Sequence, residues 1–200
     1  MLASYSSSDL CTCMIPVALI EEDSILVQRT LSGNQEAFRL LYRRHVGPVR
    51  RLVYQMTTDS QVLDDLTQDV FLKVHRNLSK FRGDAQFSTW LFRIAYNVCQ
   101  DYHRRKGRSN KIVSLPVEDL PISAPDAEVL SRLDRQELVG RALETLTPDH
   151  RAVVILHDLQ EKSQEEVAQI LEVPVGTIKS RLFYGRRKLK EWFSAQGVYL

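Results

Sequence analysis

Cysteine is scarce in this chain. Its three residues, Cys11, Cys13 and Cys99, form no CxxC sets and have no histidine beside them at zinc-ligand spacing. A disulfide framework and a structural zinc site are set aside on that ground, and a reducing compartment fits. Long apolar runs are missing too. The run over residues 14–20 is broken by Pro16 and has no basic residue before it, and a bilayer-spanning helix needs about 20 apolar residues. The reading is a soluble, cytoplasmic protein with no direct membrane insertion, carrying a leader over 1–22 that fits no targeting signal and is expected to be disordered. Strand-type alternation is absent, which leaves an all-α fold. Nor is there a glycine-rich phosphate loop or a second carboxylate cluster, so neither a metal nor another cofactor is expected.

Charge of one sign is in no great excess, the net being +2, but it is unevenly placed. Arg104, Arg105, Lys106, Arg108 and Lys111 make one basic block. Lys179, Arg181, Arg186, Arg187, Lys188 and Lys190 make another, with no acid between Val173 and Lys190. Acidic sequence over 118–137 separates them. Two such blocks point to two contacts with a polyanion.

What is present is helical periodicity. Asp23 or Ser24 caps a first helix ending at Gly33, and Asn34 caps a second with Phe38, Leu41, Val49 and Leu52 inward. Pro48 is expected to kink or divide that second helix. Asp59 caps a third over 60–78, with Leu63, Leu66, Thr67, Val70, Val74 and Leu78 inward. The loop FRGDAQF leads into a fourth, FSTWLFRIAYNVCQDYHRRKGR. From Gly107 the period lapses, and Pro116, Pro121 and Pro125 describe an extended tether. Periodicity returns near Ala127. The architecture is thus two small helical domains, a four-helix unit over 23–106 and a second over 127–197, joined by a flexible linker over 107–126.

Three faces stand out. On the fourth helix, plotted at ~100° per residue, Leu91, Ile94, Ala95, Val98 and Tyr102 share one stripe that Phe92, Tyr96 and Cys99 widen. The remaining stripe is Trp90, Arg93, Asn97, Gln100, Asp101 and Arg104. An aromatic, an amide and two guanidiniums on one line can stack on bases, bond base edges and hold phosphates. The same pattern also suits a bundle helix whose polar face is merely solvated. On the third helix Asp65, Gln68, Asp69, Leu72 and Arg76 line up outward, either a protein-binding face or acids favoured near a helix start. In SQEEVAQILEVPVGTIKSRLFYGRRKLKEW, Ser163 and Glu166 make a capping box, 172–176 a tight break, and a longer helix starts near Thr177. That is a helix-turn-helix. On its second helix Ile178, Leu182, Gly185, Leu189 and Phe193 point inward, while Ser180, Phe183, Tyr184 and Arg187 point outward with Lys179 flanking. Exposed rings between basic side chains suit a major groove better than plain surface.

Together, GNQEAFRLLYRRH, DDLTQDVFLKVHRNLSKFRGDAQFSTWLFRIAYNVCQDYHRR and LTPDHRAVVILHDLQEKSQEEVAQILEVPVGTIKSRLFYGRRKLK resemble regions 2 and 4 of the extracytoplasmic-function class of bacterial sigma factors, in order, over about residues 23–195. The resemblance implies a transcription initiation factor that binds core RNA polymerase. Asp65, Gln68 and Asp69, in the motif reading DLTQD, would dock on the β′ clamp helices, and region 4 would meet the β flap. The loop residues Phe81, Arg82, Gly83, Asp84 and Phe87, with Trp90, Arg93 and Asn97, would hold the melted non-template strand of the −10 element. Arg104 and Arg105 would grip its phosphates. Lys179, Ser180, Arg181, Phe183, Tyr184 and Arg187 would read the −35 element as duplex. Tyr184 stands where the family usually has Arg. An anti-sigma factor is the partner the class implies.

Two other readings fit parts of the sequence. Asp64, Asp65 and Asp69 with His75 suggest a Mg²⁺ nuclease site, but adjacent helical residues splay apart and nothing completes the site, so no enzyme is expected. A stand-alone helix-turn-helix repressor or activator leaves the region 2 resemblance unexplained.

Overall fold

The computed structural model describes residues 22–110 and 132–198. Residues 1–21, with Cys11 and Cys13, and 111–131, which take in most of the expected leader and linker, lie outside the described residues. Every regular element described is helical.

Helix α1, Asp23–Leu31, departs from its expected capping. Glu22 is the N-cap residue and no side chain bonds there. Asp23 instead reaches α2, accepting from Arg44 and lying 2.7 Å from His45 Nε2. Charge-assisted partners of that kind outcompete the helix's own amides. Burial pushes the Asp23 carboxyl upward, yet the bonds and charges of His45 and Arg44 outweigh it and hold the group below its usual range.

Helix α2, Gln35–Thr57, begins as expected, with the Asn34 side chain accepting from the Ala37 amide at 3.2 Å. It runs through Pro48 undivided. The proline removes one backbone donor, but Val49, Leu52 and Val53 are wholly buried beyond it and hold the helix in one piece. Helix α3, Leu63–Asn77, starts three residues later than expected. Asp59 forms a local turn with the Gln61 amide at 3.1 Å and accepts from Tyr102 Oη at 2.8 Å, so its carboxylate is committed before it can cap. A 3₁₀ turn, Leu78–Lys80, follows. Helix α4, Phe87–Asn110, passes Gly107, with Lys106 still 3.4 Å from Asp59. Leu91, Ala95, Val98 and Cys99 are sunk into the core shared with α2 and α3.

The second unit opens with α5, Arg132–Glu144, and α6, Pro148–Val154. Thr147 caps α6 with Pro148 at its first position, as the sequence implies. A π-helical turn, Ile155–Leu159, ends that rod. Helix α7, Gln164–Leu171, carries the capping box in full: Ser163 Oγ accepts from the Glu166 amide at 3.1 Å, and Glu166 from the Ser163 amide at 2.9 Å. Helix α8, Val175–Ala195, starts two residues before Thr177, because Pro174 already supplies a suitable N-cap backbone.

Ile178, Leu182 and Gly185 of α8 are buried, Leu189 and Phe193 partly so. Gly185 is a close-approach residue: an added Cβ would stand 2.9 Å from Val154 Cγ2 and 3.5 Å from His150 Cβ. Val154 is itself 2 % exposed and β-branched, so it has little room to yield. Gly185→Ala is expected to destabilise the protein by about 1 kcal/mol, overpacking of about 1–3 kcal/mol being partly offset by the better helix propensity of Ala. Gly107→Ala, with open space around it, should be neutral or slightly stabilising. Urea denaturation of both variants checks the contrast.

Candidate nucleic-acid interface

The start of α4 is held by rings. Phe87 is 4 % exposed and lies edge-on to His45, centroids 5.3 Å apart. Phe81 approaches Phe87 at 5.7 Å and Trp90 at 5.4 Å, and Phe87 and Trp90 are 5.9 Å apart. Trp90 is therefore a half-buried member of a packed cluster, not a free platform. The loop above it leaves Arg82, Gly83, Asp84 and Gln86 exposed. Gly83 has φ 80°, a left-handed backbone that other residues adopt at a cost. Further along, Asn97, Arg104 and Arg105 are exposed. Arg104 donates to Asp101 at 2.8 Å, which aims its guanidinium along the helix. Cys99, buried beneath, has its thiol pushed up to about 12 by burial and is inert.

On α8, Lys179, Ser180, Phe183, Tyr184 and Arg187 all face solvent, Phe183 at 62 % and Tyr184 at 50 % exposure. Tyr184 is braced by two neighbours. The His150 ring stacks at 6.3 Å and the Arg187 guanidinium lies 5.6 Å from its centroid. Nothing in the sequence pattern brings in His150, which belongs to α6. Arg181 differs from its neighbours: it donates to Asp149 at 2.5 Å and is less exposed.

On α3, Asp65, Gln68, Asp69 and Arg76 are exposed with Leu72, which is 45 % exposed. Asp64 turns away to pair with Arg50, and His75 meets the Phe38 ring edge-on at 4.9 Å. Among the described residues no three His, Cys, Asp or Glu side chains gather as metal ligands. The imagined nuclease constellation is not assembled.

The two units also touch. Glu172, at the end of α7, pairs with Arg93 of α4. Thr89 Oγ1 donates to Glu166 at 3.3 Å, and Lys162 Nζ reaches Ser88 Oγ at 3.4 Å and lies 5.1 Å from the Phe92 ring. Gln160 donates to Gln55 at 2.7 Å and Thr58 to Glu144 at 2.9 Å. Arg93 and Glu172 are 79 residues apart and Gln55 and Gln160 are 105 apart, distances at which helical periodicity carries no information.

A four-helix unit with an exposed amide-and-guanidinium stripe, followed by a helix-turn-helix, matches known families in both halves. The family model for sigma-70 region 2 matches residues 41–109, and that for sigma-70 region 4 matches 136–189. The ECF RNA polymerase sigma-E factor of Escherichia coli strain K12 is 37% identical over 177 residues, covering 84% of this chain and 92% of that protein. The RNA polymerase sigma-H factor of Pseudomonas aeruginosa is 31% identical over 179 residues, with the same coverage of 84% and 92%. The chain belongs to the extracytoplasmic-function sigma factors. Among solved structures, CnrH in complex with the cytosolic domain of CnrY matches with a TM-score of 0.68 at 28% identity, over 88% of this chain and 99% of that one. The sigma factor RpoE in complex with the anti-sigma factor NepR from Bartonella quintana matches with a TM-score of 0.64 at 25% identity, over 78% and 96%.

In this sigma factor the α4 stripe is divided by the packing. Asn97, Arg104 and Arg105 stay on the outer surface, Trp90 and Phe87 shape the loop from beneath, and Arg93 is engaged by the other unit. Trp90→Ala is expected to destabilise the fold by about 2 kcal/mol, the low end for a large-to-small change because the ring is only half-buried. Denaturant unfolding checks it. A change within about 0.5 kcal/mol, the usual surface range, would mean that the ring stands free.

Proposed function

We propose that this alternative sigma factor, which directs RNA polymerase to specific promoters, divides that task among three surfaces. Residues 23–106 are region 2 and 127–197 region 4, with 107–126 as the linker running through polymerase towards the RNA exit path and 1–22 as a leader. Asp65, Gln68 and Asp69 of α3 bind the β′ clamp helices, an acidic and amide face around the apolar Leu72, while region 4 packs on the β flap. Phe81, Arg82, Gly83, Asp84 and Phe87 shape a pocket for one unstacked base of the −10 non-template strand. Unstacking costs a few kcal/mol, which a pocket and stacking partners offset. Asn97 bonds a neighbouring base, with Trp90 behind the loop and Arg93 beside it. Arg104 and Arg105 hold phosphates, which adds affinity and little sequence information. Lys179, Ser180, Arg181, Phe183, Tyr184 and Arg187 read the −35 element in the major groove.

The observation that carries this reading is the pairing, in one chain, of an exposed Asn97–Arg104 stripe on a core helix with a helix-turn-helix that presents Phe183 and Tyr184 between cations. The protein is a transcription initiation factor with no chemistry of its own, working in the cytoplasm. No helix among the described residues is long and apolar enough to cross a membrane. An anti-sigma factor is its expected regulator, because a relative of the same fold is bound to one. A stand-alone helix-turn-helix regulator would leave the region 2 match without a purpose.

Run-off transcription with added core polymerase on a genomic library tests the whole reading and yields the promoter sequence. Initiation no different from core alone would overturn it. Asp65→Lys with Asp69→Lys should weaken pull-down of core polymerase while shifting stability by no more than about 0.5 kcal/mol, as exposed substitutions do. At Tyr184 one hydroxyl and a ring replace the bidentate fork of an Arg. Tyr184→Arg should shift the −35 preference towards G at one position by about 1–3 kcal/mol. Identical base choices by wild type and variant in a binding selection would remove Tyr184 as a reader.

A further inference from the structure

His45 of α2 is buried, and a buried imidazole is costly unless its polar atoms are bonded. Its Nε2 donates to the Asp23 carboxylate at 2.7 Å, and Asp23 accepts from Arg44 as well. A charge-assisted bond of this kind leaves the ring few orientations, a demand that an apolar ring in the same space would not face. The ring so held meets Phe87 edge-on, with centroids 5.3 Å apart and planes at 61°. Phe87 in turn lies 5.7 Å from Phe81 and 5.9 Å from Trp90. A line of contacts therefore runs from the first residue of α1 to both ends of the segment 82–86.

Helix α1 reaches that segment a second way. It packs against the 3₁₀ turn Leu78–Lys80, which hands the chain on to Phe81. Leu26 and Val27 are buried and dock α1 whether or not Asp23 bonds anything. What depends on Asp23 is thus the setting of the His45 ring rather than the place of its own helix. Resting on the reading of 81–87 as the −10 pocket, the consequence is geometric. Packed aromatic rings prefer edge-on or offset arrangements, so turning one ring of a set moves the next. A pocket that holds one unstacked base is sensitive to such a shift, whereas phosphate contacts carry no base information to lose.

We propose that His45, clamped by Asp23, is a positioning residue for promoter recognition: without touching DNA it sets Phe87, and through Phe87 the Phe81 and Trp90 rings, and so fixes the pocket that takes the unstacked −10 base. Base choice at one position of the melted strand then depends on a carboxylate outside the interface.

The test uses the full chain with Asp23→Ala, with Asp23→Asn, which keeps an acceptor for His45 Nε2, and with His45→Phe, which fills the same space without the bond. Val53→Ala, a buried change about two turns further along α2, controls for lost stability. On the free protein, in a Trp192→Phe background that leaves Trp90 as the only tryptophan, Asp23→Ala and His45→Phe should red-shift Trp90 emission and raise its quenching by acrylamide. Each holoenzyme is then used to select from a random-sequence single-stranded DNA pool. Both variants should lose about three- to tenfold of the enrichment at one position, part of what a stacked base contributes, and keep the rest of the wild-type pattern. Asp23→Asn should restore it. Val53→Ala lowers the amount of active protein, which weakens all positions alike. The proposal is overturned if Asp23→Ala and His45→Phe select as wild type does at every position, if their loss is spread evenly as in Val53→Ala, or if Asp23→Asn fails to restore the pattern. A wild-type holoenzyme that enriches no base would instead remove the −10 reading. Trp90 still decides the positioning in that case, and quenching equal to wild type in both variants overturns it.

Discussion

A helix has one circumference, and α4 divides its own three ways. Leu91, Ala95 and Val98 are sunk against α2 and α3. Phe92 and the Ser88–Thr89 turn meet the α7 unit. What is left for solvent is the strip carrying Asn97, Arg104 and Arg105. Because the buried sides fix the helix's rotation, they also fix where that strip points. The preceding loop follows from the same constraint: Phe81, Phe87 and Trp90 pack as one cluster, so the exposed Arg82–Asp84 segment is carried at a set height above the helix start. A wider exposed face would take apolar residues from one of the two contacts.

On α8 the outward face is shaped by acids lying elsewhere. Asp149 draws off Arg181 and Asp158 binds Arg186 through two bonds, at 3.0 and 2.5 Å. Exposed ion pairs of this kind add about 0–1 kcal/mol of stability, so their main effect is on orientation. They turn two guanidiniums towards α6 and the π-helical turn, and the outward line is left to Phe183, Tyr184 and Arg187. The surface is therefore richer in rings than the run of basic residues in the sequence suggests. The close approach of Gly185 to Val154 sets how deep α8 lies against α6, and His150 and Tyr184 stack beside that contact.

Much of this is legible in the sequence. Asn34, Thr147 and the Ser163–Glu166 box act as caps where the pattern places them, because capping is a local transaction between a side chain and amides a few residues away. The inward positions of α3 and α8 follow from periodicity for the same reason. Asp23 and Asp59 look like caps and are not, since their carboxylates found partners 22 and 43 residues away, His45 and Tyr102. Pro48 looks like a break and is not, because burial on both sides outweighs one missing hydrogen bond. Trp90 looks like open surface, and its pairing with Phe81 across the loop is invisible to a helical wheel. The meeting of α4 with α7 is half legible: Phe92 widens the apolar stripe of α4, but nothing in either helix names the other as its partner.

That meeting combines two kinds of contact: one apolar cluster runs through both units, and hydrogen bonds and ion pairs rim it. Apolar area buried between the units stabilises their contact by roughly 25 cal/mol per Å². Hydrogen bonds and ion pairs between partly exposed side chains, such as Arg93–Glu172 and Gln160–Gln55, are individually weak. Covalent connection compensates, because a short tether sets an effective concentration on the order of millimolar and lets a weak contact close. The polar rim therefore adds little to the strength of the contact, and its main effect is on how the two units are turned against one another.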